Sequence, residues 1–179
     1  MRSVILFFLV VLIVMIMGCE SLVPWNPVLD GIELDKSISF IHQGTAVTIV
    51  ELGFVNSHWD PEVRLDIRNC LTDTMRFSPN DFKILIGPDT LTRTNPSESI
   101  TTLLPGEKLS FFLRYKYNFH NHTPNHTPVQ FEGHILEIPN PSSLLFNFPA
   151  IDAGGKTINI PKVKFVYPHS LDYLTKLAK

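Results

Sequence analysis

The stretch VRLDIR (residues 63–68) decides the fold class, because its side chains alternate strictly between apolar and charged. In an extended strand successive side chains point to opposite faces, so the apolar ones would share one face and the charged ones the other. A second stretch, KLSFFLRYKY (108–117), repeats the alternation, and Phe112 is an apolar residue in its otherwise polar row. Both stretches predict strands with one buried and one solvent-facing side.

The rest of the chain offers further strand candidates and little helical spacing. The candidates are residues 37–42, 46–56, 81–87, 129–138, 156–160 and 162–168. Proline and glycine turns separate them, and about seven or eight such strands predict an all-β fold, an antiparallel β-sandwich over residues 36–168. The segment SLDYLTKLA (170–178) alone has helical spacing, and it predicts a short C-terminal helix within residues 169–179.

The amino terminus carries an unbroken apolar run from Val4 to Met17 after one positive charge, Arg2. Its fourteen residues are fewer than the roughly 20 that a membrane-spanning helix needs. A charged start, an apolar stretch of this length and a small residue at its end are the three regions of a secretory signal peptide. We therefore expect this segment to be removed from the mature protein.

The junction that follows, Ile16-Met17-Gly18-Cys19, resembles the lipobox of bacterial lipoproteins. The resemblance implies a lipoprotein signal peptide over residues 1–18, a diacylglycerol on the sulfur of Cys19, and usually an acyl chain on the new amino terminus. Two or three acyl chains hold a protein firmly on a membrane that it does not span. Glu20 is not the aspartate most associated with inner-membrane retention, which favours the outer membrane, facing the periplasm.

Residues 19–35 contain two prolines and a glycine and show no sustained period. Prolines keep a linker extended and moderately stiff, so this segment predicts a tether between lipid and domain. Trp25 within it is expected either at the lipid interface or packed on the domain.

Charge and cysteine content limit the classes of function. The chain has 15 basic and 17 acidic residues and a net charge of −2, without a basic run or stripe, which argues against a nucleic-acid surface.

If Cys19 carries lipid, Cys70 has no partner for an intramolecular disulfide; a Cys19–Cys70 pair is the alternative. Beside its predicted strand, Cys70 is expected to be a buried small hydrophobe instead of a reactive thiol.

A second resemblance rests on VELGFVN (50–56), PEVRLDIRNCLTDTMRFSPNDFKILI (61–86) and LLPGEKLSFFLRYKY (103–117). Together they resemble the immunoglobulin-like domains of small bacterial envelope lipoproteins. In that family a strand ending in Asn leads into a polar segment, a F-x-P-x-x-F stretch follows, and a PGE turn opens a long amphipathic strand. The resemblance covers residues 46–117 and implies an immunoglobulin-like sandwich that serves as a binding or spacing module.

The stretch HNHTPNHTP (120–128) is the candidate metal site. If the preceding strand continued, His120 and His122 would lie side by side on one face, and His126 could return across the Pro124 turn as a third imidazole ligand for zinc or copper. The alternative is an exposed hairpin tip. Its two Asn-His-Thr acceptor patterns for N-glycosylation lose their meaning if the lipobox indicates bacterial processing.

A second candidate is NSHWDPE (56–62), where His58 and Trp59 either contact a partner or form a turn that packs on the core.

The chain has no Gly-x-Ser-x-Gly elbow, and GGKT (154–157) lacks the first glycine of a phosphate-binding loop. We therefore predict no catalysis and no cofactor. The expected function is a lipid-anchored cell-envelope lipoprotein acting as a binding or structural module, with a membrane and an envelope protein as partners. A metal-binding protein and an enzyme with a site invisible in sequence are the alternatives.

Overall fold

The computed structural model describes residues 22–55, 60–97, 99–117, 127–131, 134–138 and 143–167. Within them the chain is all-β, and the helical element is one turn of 3₁₀ helix, Pro79–Asp81. No helix in these ranges is long and apolar enough to cross a membrane. The predicted signal peptide (1–18) and C-terminal helix (169–179) lie outside the described residues.

The strands are β1 (Leu22–Pro24), β2 (Asn26–Leu29), β3 (Ile32–Glu33), β4 (Ile38–His42), β5 (Thr45–Val55), β6 (Pro61–Asn69), β7 (Met75–Phe77), β8 (Lys83–Ile86), β9 (Asp89–Thr90), β10 (Thr92–Arg93), β11 (Thr101–Leu103), β12 (Lys108–Lys116), β13 (Thr127–Phe131), β14 (His134–Ile138), β15 (Ser143–Asn147), β16 (Ala150–Ala153), β17 (Lys156–Asn159) and β18 (Val163–Val166).

The first sheet has the strand order β1-β5-β6-β12-β10, and β4 also pairs with β5. All of its pairings are antiparallel. In β6 the alternation predicted from sequence is confirmed, since Val63, Leu65 and Ile67 are buried and the charged residues between them are more exposed. This sheet therefore has one face toward the core and one toward solvent.

The strands of the second layer form two sheets, β3-β2-β18-β15-β8-β9 and β11-β7-β16-β17. Aromatic rings join the layers: Phe111 of β12 lies 5.8 Å from the ring of Phe77 and 5.4 Å from that of Phe82. The buried hydroxyl of Tyr115, also on β12, donates to the carbonyl oxygen of Phe82 at 3.0 Å. The layers thus pack face to face around an aromatic core, which confirms the all-β, antiparallel sandwich.

Residues 22–35, predicted as part of a tether, instead belong to the sandwich. β1 pairs with β5, and β2 pairs with β18 and β3. Trp25 between them is only 2% exposed, with its ring 5.0 Å from Phe54 and 5.8 Å from Tyr167. Burial of an indole this large outweighs the weak preference of the flanking prolines for an extended linker.

Two other expectations differ from the structure. The run 129–138, predicted as one strand, is two paired strands, β13 and β14, and strands β15 and β16 form where none was predicted. Cys70 is exposed instead of buried. The two-residue period explains this, because Asn69 takes the inward position and the next residue must face outward.

Candidate binding surface on the first sheet

The solvent-facing side of the first sheet carries a depression of about 460 Å³ that spans β5, β6 and β12. Its lining comprises Val50, Arg64, Leu65, Asp66, Ser110, Phe111 and Phe112. We call the outward-pointing part of this lining, together with the adjacent Arg114, the Phe112 surface: Val50, Arg64, Asp66, Ser110, Phe112 and Arg114. Its apolar members lie on a face where alternation otherwise places polar side chains.

A β-bulge and an interrupted polar row bring the two apolar residues of the surface outward. The register between β5 and β6 shifts between Ile49 and Glu51, and Val50 is 47% exposed there. Extra residues of this kind re-aim side chains. Phe112 occupies an outward position of β12 opposite Arg64 and is 38% exposed. The surface therefore has an apolar centre that the core does not use.

Two guanidinium groups hold the ring of Phe112. The Cζ atom of Arg64 lies 5.4 Å and that of Arg114 4.8 Å from the ring centroid. Each such cation–π contact contributes about 0.5–1 kcal/mol at an exposed site. The Nε of Arg114 also contacts Glu62 Oε1 at 2.9 Å.

The carboxylate of Asp66 is already bound by two side chains of the neighbouring strand β12. Its Oδ2 lies 2.6 Å from Lys108 Nζ, and its Oδ1 accepts a 2.6 Å hydrogen bond from Ser110 Oγ. The hydrogen bond from Lys108, followed by that from Ser110, lowers the pKa of this carboxyl below its ordinary value. The group is thus ionised at neutral pH and holds β6 and β12 together across the floor of the depression.

The backbone of β12 is fixed at the same place by Asn95. Its Nδ2 donates to the carbonyl oxygen of Phe112 at 2.8 Å, and its Oδ1 accepts from the amide of Arg114 at 2.9 Å. β10 ends at Arg93. Beyond it, the side-chain amide of Asn95 makes the hydrogen bonds with β12 that a peptide group of a neighbouring strand would otherwise make. This bonding holds Phe112 and Arg114 in register with β6.

Cations outnumber anions on this face. The cations are Arg64, Arg68, Lys108, Arg114 and Lys116, and the anions are Glu51, Glu62 and Asp66. With five cations against three anions among the described residues, this face is positive although the whole chain has a net charge of −2. Guanidinium donors beside an apolar centre suit non-covalent binding of a carboxylate next to an apolar side chain.

None of the site residues predicted from sequence is among the described residues. Cys19, His58, Trp59 and the histidines His120, His122 and His126 are outside the described residues, so lipidation, partner contact and metal binding at these positions stay predictions. Within the described part of the chain, no group of three or more His, Cys, Asp and Glu side chains is placed to hold a metal ion. The sequence contained one signal for the surface found here, the interruption of the polar row at Phe112.

No protein-family model, curated protein or solved structure matches this chain.

Proposed function

We propose that this protein is a lipid-anchored lipoprotein of the cell envelope whose immunoglobulin-like β-sandwich binds a partner protein at the Phe112 surface without catalysis. The lipobox-like junction before Cys19 supports the anchor, and the absence of an aspartate after it favours the outer membrane, facing the periplasm. The partner would be another protein of the same compartment.

The immunoglobulin-like assignment is supported by the roles of two motifs. The F-x-P-x-x-F stretch runs from Phe77 to Phe82 and links β7 to β8 through the 3₁₀ turn, with the two rings 6.0 Å apart in the core. The PGE turn at 105–107 opens β12, as in the family that the sequence resembles. The PGE turn therefore leads from β11 of the second layer to β12 of the first sheet, and the F-x-P-x-x-F stretch joins the two sheets of the second layer.

The single observation that carries the binding role is Phe112, an aromatic ring held between two guanidinium groups on a solvent-facing sheet. Aromatic and Arg side chains are enriched among residues that dominate interface energies. Fully burying an exposed phenylalanine side chain contributes about 1.5–3 kcal/mol, so covering the 38% of Phe112 that is exposed would contribute roughly 1 kcal/mol.

The anchor is tested by metabolic labelling with a palmitate analogue. We expect incorporation into the wild type and into Cys70→Ala, and none into Cys19→Ala. Label that persists in Cys19→Ala would contradict the proposed anchor.

The binding role is tested by photo-crosslinking in intact envelopes and by affinity capture from detergent-solubilised envelopes. Phe112→Ala should lose a specific captured protein, whereas Leu145→Ala should retain it. Leu145 is the matched control because it is an apolar residue of the second layer with the same 38% exposure. Equal capture by both variants would refute the Phe112 surface as the binding site.

A further inference from the structure

We infer that one end of the sandwich, which we call the β1 pole, lies directly against the lipid surface. The β1 pole consists of Leu22, Val55, Asp60 and Tyr117. The inference rests on the proposed lipid anchor at Cys19, and goes beyond it by assigning the surface of the domain that meets the membrane.

The chain between the anchor and the domain is short. β1 begins at Leu22, three residues after Cys19, and pairs at once with Val55 of β5. Three residues extend by at most about 11 Å. Without the predicted tether, the sandwich has no room to stand away from the bilayer, and the end that carries Leu22 must be close to it.

The ends of other strands lie at the same pole. Strand register places Phe54 opposite Pro61 and Glu62 opposite Arg114. The ends of β5 and β12 and the start of β6 therefore lie at the same end as the start of β1. The amide of Tyr117 donates to Asp60 Oδ1 at 3.0 Å and ties two of these chain ends together.

The chemistry of the β1 pole fits a lipid interface. Tyr117 is partly exposed there. Tyrosine combines an apolar ring with a polar hydroxyl and is enriched at the level of lipid headgroups.

The opposite end of the sandwich, which we call the Asn69 pole, lies a known distance from the β1 pole along β6. It comprises Gly44, Asn69, Cys70, Asp73 and Gly154; the amide of Cys70 donates to the carbonyl oxygen of Gly44, and the side chain of Asn69 donates to that of Asp73. β6 runs from one pole to the other over nine residues, or about 26 Å at 3.3 Å per residue. Arg64, opposite Phe112, is three residues from the start of β6, about 10 Å above the β1 pole.

This orientation restricts the partner. The Phe112 surface would face sideways, within about 20 Å of the bilayer once the anchor link of at most about 11 Å is included. A protein that binds there must therefore present its own binding segment close to the membrane.

The experiment uses the complete lipidated chain in vesicles of phosphatidylethanolamine and phosphatidylglycerol (3:1) containing a lipid with a headgroup nitroxide that quenches fluorescence. Because Cys19 would be blocked by lipid, Cys70 offers an exposed thiol for a fluorophore at the Asn69 pole. In a Cys70→Ser background, Lys116→Cys places the label beside the β1 pole, and Val50→Cys and Leu145→Cys place it at the outer faces of the two layers. All four positions are exposed, so labelling should leave the core intact.

We expect quenching at Lys116→Cys to exceed that at Cys70 by at least about threefold, since the two positions differ by most of the 26 Å between the poles. Val50→Cys and Leu145→Cys should give intermediate and similar values. Strongest quenching at Val50→Cys would mean that the positive face lies on the lipid, and uniform quenching would mean free tumbling; either result overturns the inference.

Flotation of the same vesicles separates this outcome from failure of the anchor. Protein that does not float with the vesicles, or Cys19→Ala protein that floats equally well, overturns the proposed anchor and the inference with it. Protein that floats through Cys19 but shows the wrong quenching order overturns the inference alone.

Discussion

Asn69 provides the sharpest test of how the sandwich is held together. It is fully buried at the end of β6. Its Nδ2 donates to the carbonyl oxygens of Asp73 at 2.8 Å and Leu103 at 3.1 Å, and its Oδ1 accepts from the amide of Leu71 at 2.9 Å. One side chain thereby satisfies three backbone groups from two different connections.

We predict that Asn69→Ala lowers the free energy of unfolding by about 3 kcal/mol, from three hydrogen bonds at about 1 kcal/mol each. The buried carbonyl of Leu103 would lose this bond without gaining water. Such a loss is a large fraction of the 5–15 kcal/mol typical of whole domains. Asn69→Asp should be at least as damaging, because it keeps the acceptor but replaces both donors with a charge that faces carbonyl oxygens.

The measurement is urea unfolding at equilibrium of the chain from Glu20 onward, followed by fluorescence. The control is Asn159→Ala, an exposed asparagine of β17, which should change stability by less than about 0.5 kcal/mol. If Asn69→Ala cost no more than the control, the three bonds would not stabilise the fold, and the reasoning would be refuted.

Three further predictions concern single groups. Gly44 and Gly31 have φ of +79° and +82°, but only at Gly44 would an added Cβ collide with the Leu71 side chain; Gly44→Ala should therefore be the more destabilising by at least about 1 kcal/mol in urea unfolding, and equal losses would contradict the clash. Burial raises the pKa of Tyr115, so the unfolded chain ionises first and stability should fall as pH rises above about 10. Tyr115→Phe should show a shallower decline between pH 8 and about 11, and parallel curves would refute this. The lowered pKa of Asp66 gives stability that is present above about pH 4 and lost as pH falls further, so Asp66→Asn should lose less stability between about pH 5 and 2. Because this ion pair is partly exposed, the difference should stay below about 1 kcal/mol, and a steeper acid decline in the variant would contradict it.

Strands with one solvent-exposed face and one buried face could be predicted from the sequence. β6 and the inward side of β12 could be predicted because burial and polarity alternate with the same period of two. Sequence reasoning failed for β15, where the run Leu144–Phe148 is mostly apolar although Leu145 faces solvent. In a mostly apolar run the two-residue alternation of apolar and polar side chains is not visible. A strand, a loop and a buried segment therefore cannot be told apart from the sequence.

It also failed for β1 and β2, for a different reason. Pro24 and Pro27 suggested a linker because prolines keep a chain extended and moderately stiff. Pro27 nevertheless serves in β2 as an acceptor, since its carbonyl oxygen receives a 2.8 Å bond from the amide of Leu34. The burial of Trp25 supplies the driving force, and no local pattern indicates which cavity of the fold will receive an indole.

The Phe112 surface could be anticipated only in part. The outlying Phe112 is visible in the sequence, but its meeting with Arg64 depends on the register between β6 and β12, which are far apart along the chain. The bulge that exposes Val50 depends on how β5 matches the length of β6. Both are properties of strand pairing, which a sequence pattern does not specify by itself.

The pairing of β1 with β5 also determines how the domain bears mechanical tension. Hydrogen bonds of an antiparallel pair lie perpendicular to the strands. A pull on Leu22 away from the sandwich therefore acts along β1 and loads all of its bonds at once in shear, so they cannot open one after another as in a zipper. The next residue to yield would be Trp25, whose release requires exposing a buried indole. The fold is thus arranged to resist a force that pulls on its amino-terminal end.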